Sequence, residues 1–241
     1  MIHVWDEPLS RQVARALADT DQLNPHVDGL IVENYGFGSK DYNLASADAI
    51  ERIGRITRAI SAKTKGLGLA IGINMLPNDY EAAFEIAKTC GGVFIQMDHV
   101  TGKFHRCQSV DPAQFLRVRA RYPEIMVLGG IHPKYYQLVD PGTTITQSAL
   151  EAQKLADAIV VTGQKTGHPP DLTDLRAVKS ACPDTPLIVG SGLDSHNALE
   201  HLSLADGAIV GTAFKTRGVV PGEPINVGLV RAFVGQVAKL R

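Results

Sequence analysis

The chain has little cysteine: Cys90, Cys107 and Cys182 in 241 residues. They are isolated and odd in number, which argues against a disulfide framework and against a CxxC metal site. An excess of charge of one sign is missing too. The formal net charge is −1, and no basic block is offered to nucleic acid. No apolar run approaches the ~18 residues a membrane helix needs, and the first residues carry no signal-peptide pattern. A membrane span is therefore not expected, and a reducing cytoplasm is the expected location. Linkers and low-complexity stretches are absent as well, so residues 1–241 are expected to form one domain. That length suits a single large α/β fold.

What is present is an alternation. Short apolar runs at residues 2–4, 29–34, 69–76, 93–100, 125–131, 158–163, 187–189 and 208–210 read as strands. Their β-branched content and flanking glycines fit strands buried on both faces, as in a parallel sheet. Helical stripes lie between them. Leu9, Val13 and Leu17 recur at four-residue spacing within 8–22, and Ile50, Ile53 and Ile60 share a face after a glycine–aromatic loop at 35–43. Asn78-Asp79 start a helix at 80–90, and another runs over 111–122. The stripe within 144–154 is thin, whereas Leu172, Leu175 and Val178 form a clear one. Ser195 is placed to cap a short helix carrying Ala198, Leu199 and Leu202, and Ile225, Leu229, Phe233 and Val237 mark the last helix, 225–240. Eight strands alternating with helices imply parallel, right-handed βαβ units. An open doubly wound sheet also fits alternation. Two glycine turns at the seventh and eighth units favour closure into a (β/α)8 TIM barrel.

Those turns are Gly190-Ser191-Gly192 and Gly211-Thr212-Ala213. Turns after the last two strands form the usual phosphate site of such a barrel. Backbone N–H groups of Gly192, Gly211 and Thr212 are expected to bind the anion, with Gly190 and Ser191 beside them.

The pieces DGLIVENYG (28–36), GINMLPND (72–79), VVTGQKTGHP (160–169), VGSGLDSHN (189–197) and DGAIVGTAFK (206–215), together with Ile2-His3, occur in this order. With them the chain resembles the BtpA family over nearly its full length. The resemblance implies a phosphate-binding barrel. The family's name, taken from photosystem I biogenesis, implies instead a factor in the accumulation of a membrane complex. The chain departs from the family pattern at Asp98, where an Asn is usual. It departs again at residues 129–135, GGIHPKY, where the lysine is kept and an acid and a histidine are not. It also starts later and lacks the proline–glycine loop after the first strand.

Polar residues at the C-terminal ends of barrel strands face the mouth. The rule selects Glu33, Asn34, Asn74, Asp98, His99, Lys134, Thr162 and Thr166. Glu33 and Asp98 are the candidate acid–base pair and Asn74 the candidate orienting amide, counted with them as catalytic. Asn74 also fits as a cap on the turn before Asn78. Asp98 and His99 are adjacent in a strand, so one of them faces the mouth, and Asp98 is the choice. Thr162 and Thr166 join the substrate-binding set. Lys134 joins it by charge from the rim; a Schiff base would need a drier pocket. TGQKTGHPP (162–170) reads as a lid hinged at Gly163 and Gly167 that carries Lys165 toward the phosphate. Histidines on strand-end loops lack ligand spacing, so neither metal nor cofactor is expected.

Two classes of function remain open. One is an enzyme acting on a small phosphorylated metabolite, a sugar phosphate or nucleotide-derived compound. Its chemistry would be proton transfer of the isomerase or epimerase type, or C–C or C–N cleavage of the lyase type. The other is a non-catalytic assembly or regulatory factor. A homo-oligomer is expected in either case.

Overall fold

The structure, a computed structural model, describes residues 1–38, 44–105 and 107–240. Residues 39–43 of the glycine–aromatic loop lie outside the described residues. The strands are β1 (Ile2–Val4), β2 (Gly29–Asn34), β3 (Ala70–Asn74), β4 (Phe94–Met97), β5 (Met126–Ile131), β6 (Ala158–Val161), β7 (Leu187–Val189) and β8 (Gly207–Ala208). The helices are α1 (Leu9–Leu23), α2 (Ala47–Thr64), α3 (Tyr80–Cys90), α4 (Pro112–Arg119), α5 (Ile145–Ala152), α6 (Leu172–Ala181), α7 (Ala198–Leu202) and α8 (Val227–Val237). The strands pair in parallel in sequence order, β1 to β8. The two edges of the sheet meet where the Met1 nitrogen donates to the Val210 carbonyl at 2.9 Å. The fold is a TIM barrel.

Local chemistry explains where the helices start. Ser46, Asp79 and Asp111 each accept a backbone N–H of the first turn of the helix that follows. Such side-chain acceptors satisfy donors that have no partner within the helix. Thr144 and Gln147 form a reciprocal capping box, which starts α5 despite its thin stripe. Ser195 is not a cap. Asp194 takes the amides of His196 and Asn197 at 2.7 and 3.2 Å, and α7 begins only at Ala198.

Several elements are shorter than their apolar runs. The fourth strand ends at Met97, the sixth at Val161 and the eighth at Ala208. Beyond those points Asp98, Thr162 and Ile209 line the mouth, while Val100 and Ile209 still donate backbone N–H groups to Gly130 and Val189 of the neighbouring strands. The fourth helix stops at Arg119 and the last spans Val227–Val237, because Asn226 caps it by accepting from Gly228 and Leu229.

One apolar layer lies between the sheet and the helices, with Ile53, Ile56, Phe84, Phe115 and Val230 fully buried. A second, smaller core fills the barrel axis with Ile31, Phe94, Val160 and Ile209. Gly72 makes room for it. A Cβ there would lie 2.0 Å from the Phe94 ring, so only glycine lets that ring into the axis. The axial residues set the height at which polar side chains begin.

Candidate active site

Parallel register carries one residue from each strand into a common layer above the axial core. His3 pairs with Glu33 and Glu33 with Asn74. Ile73 pairs with Ile95, so Asn74 and Gln96 are the next neighbours. All four line one cavity of about 490 Å³ at the C-terminal end of the barrel. Side chains alternate along a strand. Phe94 therefore lies in the axis, Gln96 in the polar layer and Asp98 above it.

Asn74 ties this layer together. Its amide nitrogen donates to Glu33 and Gln96, both at 3.0 Å, and lies 3.4 Å from Asp98. It is committed to the mouth and does not cap the turn at Asn78. Its Oδ1 is buried and has no hydrogen-bond partner among the described residues. Burial, and next the Asp98 carboxylate, raise the pKa of Glu33 from 4.5 to about 7. Burial also raises Asp98, while the charge of Lys134 holds both carboxyls down. A carboxyl that titrates near neutrality, Glu33, beside a second whose pKa is also raised, Asp98, is suited to giving and taking protons.

The structure brings the other expected binding residues to the same cavity. Gly190, Ser191, Gly192, Gly211 and Thr212 line its far side, across the axis from Asn74. The backbone N–H groups of Gly192, Gly211 and Thr212 have no acceptor among the described residues. Gly192 adopts φ +74°, and a Cβ there would sit 2.0 Å from the His168 backbone. Lys134, Thr162 and Thr166 also line the cavity. The Thr162 hydroxyl is buried with no partner among the described residues, so it is available to a ligand. Lys134 is half-buried at the rim.

Other expected residues have structural work. Ser191 lines the cavity, yet its hydroxyl accepts from Gly163 at 2.9 Å and donates to His168 at 3.0 Å. That bond holds Gly163 in this arrangement, where a Cβ would also lie 2.2 Å from the His168 carbonyl oxygen. The tip of the same loop is tied down as well. Tyr135 Oη donates to the Thr166 hydroxyl and accepts the Thr166 N–H, both at 3.0 Å. Lys165 is exposed and does not line the cavity. Asn34 is turned away from the mouth and staples Leu76 and Phe37. His99 is fully buried against Phe104 and Asn78. Among the described residues no three His, Cys, Asp or Glu side chains converge as a metal site.

Sequence reasoning missed His3 and Gln96. Both were visible as single polar residues inside apolar strands, IHV and FIQM, and Gln96 stands two positions before Asp98.

A model of the BtpA family matches residues 3–239. The photosystem I biogenesis protein BtpA of Synechocystis sp. is 30% identical over 245 residues, covering 98% of this chain and 83% of the relative. Thiamine phosphate pyrophosphorylase from Pyrococcus furiosus superposes with a TM-score of 0.65 at 13% identity, over 99% of this chain and 95% of that one. N-(5'-phosphoribosyl)anthranilate isomerase from the same organism gives 0.59 at 15% identity, over 98% of each chain. At such identities the two structures share the barrel, and a shared barrel does not carry a shared reaction.

Proposed function

The chain belongs to the BtpA family, and on that premise we propose that the barrel mouth is an active site for a small phosphorylated metabolite. One observation carries the reading. The buried carboxyl of Glu33 and the half-buried carboxyl of Asp98, joined through the Asn74 amide, face across a single cavity a cluster of backbone N–H groups unpaired among the described residues. The cluster would hold the phosphate of a sugar phosphate or nucleotide-derived substrate by hydrogen bonds, with Lys134 adding charge from the rim. The reacting carbon would then lie over Glu33 and Asp98. Glu33, with a pKa of about 7, serves as general base or acid. The free Asn74 Oδ1 accepts a hydroxyl proton and orients the substrate. Proton transfer beside a carbonyl, or C–C or C–N cleavage, needs just such a pair.

The test is stabilisation of the protein by inorganic phosphate in a thermal melt, with mass spectrometry of metabolites that co-purify. Stabilisation should vanish in Gly211→Asp. Its persistence there would put the anion elsewhere, and its absence from the unsubstituted protein would end the phosphate reading. The same reading has the protein working in the cytoplasm, where free Cys90, Cys107 and Cys182 stay reduced, and as a homo-oligomer.

A second reading rests on the printed name of the Synechocystis relative, which is a biogenesis factor. In that reading the mouth senses a ligand without turning it over. Glu33→Gln separates the two: it should abolish turnover but leave an assembly role intact.

A further inference from the structure

His3 and Lys215 form a buried pair that the acid–base reading does not use. His3 is 7% exposed and Lys215 5%. Lys215 follows the short 3-10 turn Thr212–Phe214, and its Nζ lies 3.3 Å from His3 Nδ1. Burial is the largest influence on Lys215 and lowers its pKa, opposed by Asp19 and Glu223, which favour the charged form, while Arg15 acts with burial. An ammonium only donates. The Nδ1 atom that receives its proton must be bare, and a neutral imidazole then carries its hydrogen on Nε2. Burial, with the charge of Lys215 next, keeps His3 neutral by holding its pKa well below 6.5.

The Nε2 side of the ring faces the glycine turn. A Cβ on Gly211 would lie 2.9 Å from His3 Cε1 and 3.4 Å from Nε2. Tyr35 fixes the ring plane through an edge contact at 5.0 Å and 84°. Among the described residues Nε2 has no hydrogen-bond partner, although His3 lines the cavity.

We propose that His3 is a further anion-binding residue: it donates Nε2–H to a phosphate oxygen held at the Gly211–Thr212 turn, and Lys215 is the positioning residue that fixes its tautomer. This rests on the phosphate reading of the mouth. It gives that site a neutral donor in contact with the anion and a cation one side chain behind it.

Two measurements on the full chain test it: two-bond ¹H–¹⁵N spectra, which report the His3 tautomer, and calorimetric titration with inorganic phosphate. The unsubstituted protein should show the Nε2–H tautomer, and phosphate should shift the His3 Nε2 signal. His3→Phe should weaken phosphate binding by about tenfold or more, the worth of one hydrogen bond to a charged group. His3→Gln keeps an N–H near the Nε2 position and should restore most of the loss. Lys215→Met should lose the tautomer preference together with affinity, whereas a purely structural lysine would leave the tautomer unchanged. An Nδ1–H tautomer in the unsubstituted protein would overturn the proposal. So would phosphate binding undiminished in His3→Phe while Gly211→Asp abolishes it; that pattern would leave the phosphate reading standing. Absence of phosphate binding in the unsubstituted protein would remove both. If His3→Phe does not fold, the phosphate response of Nε2 decides: a shift supports the proposal and an unmoved signal refutes it.

Discussion

Replacing Glu33 by Gln is predicted to stabilise the protein at alkaline pH and to disable it. Glu33 is 5% exposed. Its displacement from 4.5 to about 7 is equivalent to about 3 kcal/mol, at about 1.4 kcal/mol for each pH unit. The sign follows from proton counting. Below pH 4.5 the folded and unfolded chains both hold the Glu33 proton, and ionisation adds no penalty. Between 4.5 and about 7 the unfolded chain releases that proton first, so stability falls as pH rises. Above about 7 the full penalty of a buried carboxylate is present. Gln keeps an oxygen to accept the Asn74 amide and carries no charge. Urea unfolding across this range should therefore show the variant gaining on the unsubstituted protein with rising pH, by about 3 kcal/mol in all. The penalty from Asp98 is present in both proteins and largely cancels. A stability difference that stays flat with pH would refute the reasoning, because it would mean that Glu33 titrates alike in both states.

Lys134→Met removes the charge that holds Glu33 and Asp98 down. Both carboxyls should titrate at higher pH in ¹³C NMR, and the acidic limb of the rate profile should move with them; an unmoved limb would take Lys134 out of the mouth. Borohydride trapping with carbonyl metabolites should give no adduct on Lys134, since the residue sits half-exposed at the rim, and a stable adduct would make the protein an aldolase-type enzyme. Ser191→Ala breaks the two bonds by which Ser191 holds the base of the loop after β6. It should cost about 1–3 kcal/mol and speed hydrogen exchange at the Gly163 amide; unchanged exchange there would show that the loop is held by other contacts.

The alternation of apolar runs and helical stripes was enough to read a barrel, because strands buried on both faces leave an unbroken apolar signature. Strand ends were less legible. Val210, Val100 and Thr162 look like strand residues in the sequence, yet the regular strands end before each of them, and single backbone hydrogen bonds continue the pairing at Val100 and Val210. Glu33 and Asp98 could be picked out because an acid at a strand end stands out from its surroundings. His3 and Gln96 could not be picked out by that rule, since they lie inside strands. What places them is register, a relation between strands that are far apart in sequence. The roles of Ser191 and Gly163 were hidden for a related reason. A serine between two glycines looks the same whether its hydroxyl serves an anion or a neighbouring loop.

The contact between Gly72 and Phe94 has a consequence for redesign. The Phe94 ring fills the axis beneath the cavity, and the members of that apolar layer that line the cavity itself are Val160 and Ile209. The apolar lining at positions 160 and 209 and the polar groups at positions 33, 74, 96 and 98 thus come from separate rungs of the barrel. Trimming Val160 or Ile209 would lengthen the chamber toward the Phe94 ring and leave the polar rung where it is. Swapping the polar rung would change the hydrogen-bonding groups offered to a ligand without lowering the floor. A descendant of this scaffold, natural or made, can therefore alter what fits and what happens to it in separate steps.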